Sequence, residues 1–600
     1  MGYTVLGETL FEISWEVCNK VGGIYSVISS KAPLIRQNYK EYICIGPYFK
    51  KKAQEDFKEE EPPQKYKQPF NELRDKGIFP HYGAWQIKGE PKAILLESEK
   101  LAEKKNNIKT EFWKSHWVDS LFSGWEFEEP MLFSYAAALM LESMEKNESF
   151  NSEKTILHAH EWLSGFTILH LKNIKSKIST VFTTHATMLG RTMCANHENL
   201  YDELGNFNPE KKAKHYNIID KHSVEKASAH ATDIFTTVSE ITGKEAEFIL
   251  GRKPDVLVLN GFDMEEFPSI EETSIKHVTS RNFIREFLTY TFFPYYRFDL
   301  KHNLSFYLAG RYEFENKGID VFIEALGKLN VELKRRNSER TISAFIFLAM
   351  PNNGAKVKLL ENKNYYTHIK NYVHSKSDEI MDKIIVDFVS SGEPTHHFFT
   401  KEFLQEMKKD SVRFKRKGAP IFCTHRLNEY EYDNSVIKAF EKAGLRNLEE
   451  DKIKAILFPA FLDGDDSLLN MEFYDTIAGC HLGVFPSYYE PWGYTPMESA
   501  ALGVTAITTD VAGFGKFIEA RTKNFDENKK GVYIIKRNGV RKEDTVEELF
   551  QRMLKIADMS HEERVENKVI AKNLANQADW NILIKNYFDA HNKAIEKKKF

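Results

Sequence analysis

Two cations in the second half of the chain flank a glycine-bounded turn and carry its clearest chemical signal. Arg311 closes an apolar run that predicts a β-strand, and Lys317 opens a predicted helix six residues later. Both side chains would face the same open end of a domain, because ligands of α/β sheets lie beyond the carboxyl ends of the strands. Fixed cations stabilise the charge that a sugar nucleotide's diphosphate gains as its glycosidic bond breaks. The pair therefore predicts a site for a diphosphate leaving group.

The segment from Phe485 to Glu498, FPSYYEPWGYTPME, holds two carboxylates in different settings. Glu490 lies on the loop that follows a predicted strand, whereas Glu498 lies in the first turn of a predicted helix. Thr495 and Glu498 fit a capping box with Pro496 at the first helical position, so a purely structural role is open to Glu498. In the functional alternative, Glu498 binds two ribose hydroxyls, and Thr495 with the helix N-terminus holds phosphates. The intervening loop is also expected to bind substrate, through Trp492, Gly493 and Tyr494.

Three weaker signals come from the first half of the chain. The turn of Lys20, Gly22 and Gly23 lies between a predicted strand and a helix, where glycines let a ligand approach the backbone and free amides attract an anion. An ordinary glycine turn would look the same. His185 ends a predicted strand and could reach a cleft, although a lone histidine is more often structural. Arg191 follows a glycine and could bind an anion or lie on the surface.

Neither a metal nor a cofactor is predicted. His158 and His160, in HAHEW, also end a predicted strand, but the sequence places no carboxylate triad or cysteine beside them. No motif for pyridoxal phosphate is present. The five cysteines are scattered and odd in number, which indicates reduced thiols in the cytoplasm rather than a disulfide framework.

Composition excludes several classes of protein. The 600 residues are 42% hydrophobic and 28% charged, as in globular proteins of two to four domains. The formal net charge of −4 leaves no electrostatic footprint for nucleic acid, whereas a neutral polymer would leave no trace. The N-terminus lacks the pattern of a signal peptide, and no run approaches the roughly 20 apolar residues of a membrane span. We therefore expect neither a nucleic-acid nor a membrane partner.

Short apolar runs alternate with amphipathic stretches in two series, which predicts two doubly wound α/β domains facing a cleft. The first domain is predicted over residues 1–265 and the second over residues 266–575. A charged stretch at about 354–449 lacks strand alternation and predicts a helical insertion in the second domain. Residues 576–600 predict a C-terminal helix that packs back on the first domain.

Three further stretches bear on this organisation. Residues 51–68 are predicted to form a charged, proline-broken loop, and the alternating pattern lapses between about 260 and 302. The insertion could carry the contacts of a homo-oligomer or form a solvated helical hairpin.

Five motifs together resemble the eukaryotic-type glycogen synthases, the third glycosyltransferase family: WEVCNKVGGIYSVI, HAHEW, TTHATMLGR, GRYEFENKG and FPSYYEPWGYTP. The resemblance runs from about Phe11 to Trp580 in the same order. It implies a GT-B fold of two Rossmann-like domains, UDP-glucose as the donor and a growing α-1,4-glucan as the acceptor. The rival within the same reaction class uses ADP-glucose or another acceptor. A non-catalytic glucan-binding scaffold and a phosphorylase are rivals of other kinds.

The resemblance also implies roles for individual residues, and it suggests a mechanism. His185 and Asn260 would contact the glucose, with Glu490 beside it. Glu498 would bind the ribose, and Phe473 would stack on the uracil. The diphosphate would be bound by Arg311, Lys317, Arg191 and Thr495. Retention of configuration could proceed through a covalent intermediate, or by departure of the phosphate on the face that the acceptor attacks. We favour the second route, in which Glu490 positions and stabilises rather than attacks.

The chain departs from the family in its expected regulation. The arginine-dense helix of the eukaryotic enzymes corresponds here to residues 561–573, which hold one arginine. Arg564, Lys568 and Lys572 share a face, but glutamates accompany them. The sequence therefore predicts weak or no activation by glucose 6-phosphate. It also leaves no room for the serine-rich phosphorylated tails, and VLNGF replaces the family's proline-containing turn at Asn260.

Overall fold

The computed structural model describes residues 3–147, 150–391 and 399–599, and two sheets with flanking helices dominate it. The first sheet has nine strands in the order β3-β4-β5-β2-β1-β6-β7-β8-β9, and all neighbours are parallel except on either side of β4. These strands are β1 (Thr9–Ile13), β2 (Glu41–Pro47), β3 (Phe57–Glu59), β4 (Phe79–Trp85), β5 (Lys92–Glu97), β6 (Thr155–His160), β7 (Ser179–Thr184), β8 (Ile234–Thr237) and β9 (Val256–Leu257).

Helices cover both faces of this sheet, whose central strands β6 and β7 are buried along their whole length. They are α1 (Gly23–Asn38), α2 (Lys50–Asp56), α3 (Gln64–Asp75), α4 (Lys105–His116), α5 (Trp125–Glu145), α6 (Gly165–Asn173), α7 (Met188–Ala195), α8 (Leu200–Glu203), α9 (Pro209–His215), α10 (Ile219–Ala231) and α11 (Glu240–Ile249).

The second sheet has six parallel strands in the order β14-β11-β10-β15-β16-β17. These are β10 (Asn303–Arg311), β11 (Thr341–Ala349), β14 (Ile453–Phe458), β15 (Leu482–Val484), β16 (Thr505–Thr509) and β17 (Val532–Ile535). Its helices are α12 (Ile270–Phe292), α13 (Ile319–Arg335), α17 (Ser435–Lys442), α18 (Phe473–Ala478), α19 (Tyr494–Ala501), α20 (Gly513–Glu519), α21 (Lys542–Asp558) and α22 (His561–Asn576). Two Rossmann-like domains with a cleft between them are thus present, as predicted.

The predicted insertion is helical over part of its length only. It holds α14 (Val357–Ser375), α15 (Ser377–Ser391) and α16 (Lys401–Phe414), flanked by the antiparallel strands β12 (Asn352–Ala355) and β13 (His425–Leu427). Residues 392–398 of the predicted insertion lie outside the described residues. Helix α17 packs against α13 and belongs to the Rossmann-like layer, so the helices that project end at Phe414.

The last helix, α23 (Trp580–Lys598), lies against the sheet of the first domain. Its buried His591 is hydrogen-bonded to Tyr39, and the Trp580 indole donates to Ser30 Oγ at 2.7 Å. The exact domain boundaries remain a prediction.

Two expectations about the chain outside the sheets were wrong. Residues 51–68 are no loop: they contain most of α2, all of β3 and the start of α3, because Tyr66 and Phe70 of α3 are buried apolar anchors. The region between about 260 and 302, where the alternating pattern lapses, contains the 23-residue helix α12, which starts at a Ser269–Glu272 capping box.

Candidate active site

Lys317 and Glu490 meet directly at the carboxyl end of the second sheet. Lys317 Nζ donates to Glu490 Oε2 at 2.5 Å, from the turn between β10 and α13 to the loop between β15 and α19. The loops pass so closely that a Cβ at Gly318, whose φ is +67°, would lie 2.2 Å from the carbonyl oxygen of Pro486. Only glycine fits there, and it brings the cation to the carboxylate.

Arg311 lies at the exposed end of β10 and forms an ion pair with Glu313 at 3.1 Å. Its charge also acts across the cleft on Glu16 of the first domain, as does the charge of Arg191. Burial raises the pKa of Glu16 above its ordinary value, although the amides of Tyr25 and Gly22 and the two arginines oppose the shift. Arg311, one of the cations expected at the diphosphate, therefore faces a carboxylate of the opposite domain.

Two amides at the glycine turn before α1 are already paired with a side chain of the protein, which the sequence did not predict. Glu16 Oε2 accepts from the N–H groups of Gly22 and Tyr25 at 2.8 and 2.9 Å, so the chain's own carboxylate occupies the anion position. Gly23 faces the ring of Tyr494, 4.0 Å from where its Cβ would stand. Lys20 is exposed, with Nζ 5.6 Å from the centre of the Tyr25 ring.

His185 follows β7 and is 8% exposed at the floor of the cleft. Its Nε2 lies 2.9 Å from Nδ1 of His160, and burial lowers the pKa of His185 well below its ordinary value. Beside it, Glu161 has a left-handed φ of +64° and accepts from the N–H groups of His185 and Ala186. Burial raises the pKa of Glu161 to about 7. Sequence reasoning missed this glutamate, because HAHEW was examined for its histidines alone.

Two side-chain contacts join the domains beside Arg191. Tyr489 OH donates to Glu245 Oε1 at 2.9 Å, and burial raises the pKa of Glu245 to about 7. The second contact, between His197 Nδ1 and Glu315 Oε2, measures 2.6 Å. Arg191 is exposed, and its charge acts on Glu16 and Glu245, so the structure places it at the seam between the domains.

Asn260 is 4% exposed, and its Oδ1 is enclosed without a hydrogen-bond partner among the described residues. An unpaired buried amide oxygen is costly, which suits a group that awaits a ligand. Tyr494 OH donates to the carbonyl of the adjacent Gly261 at 3.3 Å, so the start of α19 lies beside this segment. Trp492 is instead buried against Phe514 and Phe517, and its ring does not line the cleft.

The predicted capping box of α19 is absent. The N-cap is Gly493, with φ +106° and no capping side chain, so Thr495 is already the second helical residue. Glu498 Oε1 accepts instead from Tyr474 OH at 2.9 Å, and burial raises the pKa of Glu498 to about 7. Phe473 begins α18, and the centre of its ring lies 5.7 Å from the centre of the Tyr474 ring. This contact was not predicted from the sequence. Freed from capping, Glu498 is available to a ligand.

One buried cluster has metal-like geometry. Donor atoms of Glu12, His158 and His160 lie within 4.8 Å of one another. The ammonium of Lys31 already binds Glu12 at this point, and His158 is hydrogen-bonded to Thr183 and His591. A divalent cation would have to displace a buried positive charge, so these residues do not fit a metal.

Besides the cleft, the second domain contains a cavity that we call the cationic pocket, which lies behind the active site. It measures about 210 Å³ and is lined by residues of α12 and α22 and by His481, which precedes β15. Its basic residues are His277, Arg281, His481, His561, Arg564, Lys568 and Lys572. Glu563 caps its own helix at Ser560, and Glu566 pairs with Lys529, so these two glutamates of α22 are engaged elsewhere.

Two Rossmann-like domains that close on a cleft of cations and carboxylates define a GT-B glycosyltransferase. The catalytic domain of starch synthase IV from Arabidopsis thaliana has this fold, with a TM-score of 0.53 at 13% identity over 99% of this chain and 100% of that chain. The N-terminal domain of Candida albicans trehalose-6-phosphate phosphatase gives a TM-score of 0.51 at 9% identity over 98% of each chain.

The chain belongs to the glycogen synthase family, whose model matches residues 12–599. It is 33% identical to the glycogen [starch] synthase of Neurospora crassa over 99% of this chain and 84% of that protein. It is also 33% identical to isoform 2 of Saccharomyces cerevisiae, over 100% and 87% of the two chains, and 32% identical to the liver enzyme of Rattus norvegicus, over 98% and 83%.

Membership confirms the predicted family and activity. The protein is a glucosyltransferase with a sugar-nucleotide donor and a glucan acceptor, so a non-catalytic scaffold and a phosphorylase are set aside. Among the described residues, no helix has the length and apolarity that crossing a membrane requires.

Proposed function

We propose that the donor is UDP-glucose and that glucose is transferred, with retention, to the non-reducing end of an α-1,4-glucan. The observation that carries the proposal is the Lys317–Glu490 pair between the start of α13 and the loop before α19. The eukaryotic glycogen [starch] synthases to which the chain is similar support the choice of donor.

Binding divides between the two halves of the donor. Glu498 accepts from the ribose hydroxyls, and Phe473 and Tyr474 lie where the base stacks. Thr495 and the first turn of α19 hold the phosphates, together with Arg311, Lys317 and Arg191. Asn260 and His185 contact the glucose from the first domain.

In the reaction, the bond between the anomeric carbon and the diphosphate oxygen breaks, and its electrons pass to the phosphate. Arg311 and Lys317 stabilise that charge. The acceptor's 4-hydroxyl then bonds the anomeric carbon from the same face and gives its proton to the departing phosphate oxygen. Glu490 holds Lys317 and faces the sugar, so it positions and stabilises without forming a bond.

The site is tested by replacing Lys317 with alanine and measuring nucleotide release from UDP-glucose in the presence of glycogen. We expect kcat to fall about 100-fold or more, as when one preorganised charge-stabilising donor is removed. Lys328→Ala is the matched control, because Lys328 lies on α13 and pairs on the surface with Glu547. Full activity of Lys317→Ala would refute the assignment.

Donor and mechanism have their own tests. Competition between UDP-glucose and ADP-glucose decides the nucleotide, since an aromatic ring stacks on either base. Mass spectrometry after rapid quenching decides the route: a glucosyl adduct on Glu490 would overturn the same-face mechanism.

We further propose a homo-oligomer joined through the insertion, and a cytoplasmic location. Met381, Ile385 and Phe388 form an apolar stripe on α15 at helical spacing, each more than half exposed. All five cysteines are free and buried, which suits a reducing compartment. Light scattering of Ile385→Asp should show smaller particles than the native chain, whereas Lys383→Asp on the same helix should not.

A further inference from the structure

Three residues on neighbouring strands link the core of the first domain to the active site. Glu12 lies in β1, His160 ends β6, and His185 follows β7, the next strand of the sheet. Glu12 Oε1 lies 2.7 Å from His160 Nε2, and His160 Nδ1 lies 2.9 Å from His185 Nε2. Glu12 and His160 are 0% and 1% exposed, so water cannot substitute for these contacts. We call the three residues the histidine relay.

The relay begins with a fixed negative charge. Lys31 Nζ binds Glu12 Oε1, and Tyr42 OH donates to Glu12 Oε2 at 2.5 Å. Burial alone would raise the pKa of Glu12, but Lys31 and His160 hold it well below its ordinary value. Glu12 is therefore a carboxylate, and a carboxylate can only accept hydrogen bonds.

The charge of Glu12 determines which ring nitrogen carries the hydrogen in His160 and then in His185. His160 Nε2 faces an acceptor and must carry a hydrogen, and burial keeps this imidazole neutral by lowering the pKa of His160. A neutral imidazole has one N–H, so His160 Nδ1 is bare and accepts from His185 Nε2. His185 is neutral too, which leaves its Nδ1 bare. This nitrogen has no protein partner among the described residues and is not enclosed, so it opens to the cleft.

We propose that Glu12 and His160 are positioning residues for glucosyl transfer, which hold His185 as the tautomer that presents a hydrogen-bond acceptor to a hydroxyl of the donor sugar. This inference rests on the proposed contact between His185 and glucose. The sugar then has to offer an O–H at that point, so the relay selects for a hydroxyl donor as well as orienting the ring.

A second chain of hydrogen bonds in the same sheet shows what a purely structural network looks like. His158 lies two residues from His160 with its ring stacked 4.3 Å away. It contacts Thr183 Oγ1 at 2.7 Å and His591 at 3.0 Å, and His591 contacts Tyr39 OH at 2.7 Å. Both ends of this chain lie inside the protein. His158 is therefore the matched control for His160.

The test compares two amides at position 160 that differ by one methylene. His160→Asn keeps an acceptor at the place of Nδ1, whereas His160→Gln reaches Glu12 but leaves His185 Nε2 without its acceptor. We expect kcat/KM for UDP-glucose with glycogen to fall about 10- to 100-fold in His160→Gln, the usual cost of losing an orienting partner, and a few-fold at most in His160→Asn. His158→Gln should lower the unfolding temperature but leave kcat/KM unchanged.

A substrate series gives a readout that lost stability would not move. UDP-glucose analogues in which one sugar hydroxyl at a time is replaced by fluorine accept hydrogen bonds but cannot donate them. The native enzyme should reject one of these analogues strongly, and His160→Gln should reject that same analogue far less relative to UDP-glucose, because the contact is already impaired. Equal discrimination in both enzymes would overturn the proposal.

Activity of the His185→Ala variant distinguishes failure of this inference from failure of the proposed function on which it rests. If His185→Ala keeps full activity, the proposed sugar contact fails, and the relay fails with it. If His185→Ala is impaired while His160→Gln behaves like the native enzyme, the relay alone is overturned.

Discussion

The histidine relay and the cationic pocket are both enclosed clusters of titratable groups, but their charges are arranged in opposite ways. In the first domain, the buried ammonium of Lys31 binds the carboxylate of Glu12, and two neutral imidazoles follow. In the second domain, Arg281, Arg564 and Lys568 face one another, and none of them forms an ion pair within the part of the chain that the structure describes.

The difference lies in what completes each cluster. The charge of Glu12 in the relay is balanced within the protein by Lys31, so the charges there orient side chains. The pocket is incomplete: Arg281 Nε is enclosed without a partner among the residues that the structure describes, and burial with the neighbouring cations lowers the pKa of Lys568 to about 7. His481 Nδ1 accepts from the N–H of Ser305, which directs its Nε2–H to another acceptor. Such a cluster is stabilised by a bound anion.

The largest expected effect is the loss of Lys31, the cation that pairs with Glu12 of the relay. Lys31→Met leaves Glu12 as an unpaired buried carboxylate, and we expect the free energy of unfolding to fall by about 3–5 kcal/mol. Urea unfolding followed by tryptophan fluorescence measures it. Lys568→Met makes the same chemical change in the pocket and should show no such loss. Comparable destabilisation by both substitutions would remove the distinction between the clusters.

Anion binding should stabilise the pocket but not the relay. Inorganic phosphate at about 100 times its Kd should add about 2.7 kcal/mol to the stability of the native chain. Sodium chloride at matched ionic strength is the control for screening. Arg281→Met should abolish the effect, since Arg281 brings an unpaired guanidinium to the cavity. Phosphate stabilisation that persists in this variant would place the anion elsewhere.

Removing one unpaired cation from the cationic pocket should not lower the free energy of unfolding. We expect Lys568→Met to leave the free energy of unfolding unchanged or raise it at pH 7. The folded pKa of Lys568, about 7, lies below its unfolded value, so the folded state binds fewer protons between the two. Native stability relative to the variant should therefore fall as pH decreases from about 10 to 7, and stay constant below. A pH-independent difference would contradict the assigned cause.

Much of the fold could be predicted because buried parallel strands are short apolar runs between helical patterns. Helix α12 could not, because Ile275, Val278 and Phe283 are exposed apolar residues that blur its amphipathic pattern. The capping box at Thr495 failed for a different reason: Gly493 already begins the turn with a positive φ, which sequence pattern does not reveal.

The candidate site could likewise be predicted only in part. Lys317 and Glu490 could be predicted as participants because strand ends and glycine turns expose them, but their contact depends on two loops 173 residues apart. Glu16 as an internal anion, Glu161 with its positive φ and the relay through Glu12 depend on tertiary proximity. The cationic pocket was missed because its cations come from two helices, α12 and α22, that lie far apart in the sequence.

The smallest expected effect concerns the glutamates of α22, which, together with the single arginine of residues 561–573, led to the prediction of weak activation by glucose 6-phosphate. Glu566 forms a surface ion pair with Lys529 at 3.1 Å and does not line the pocket. We therefore expect Glu566→Gln to change phosphate affinity less than about two-fold, as for a screened surface charge. Titration calorimetry measures it, with Arg564→Gln on the same helix as the positive control. A large gain in affinity on removing Glu566 would show that this helix opposes anions, and the expectation of weak activation would then regain its physical basis.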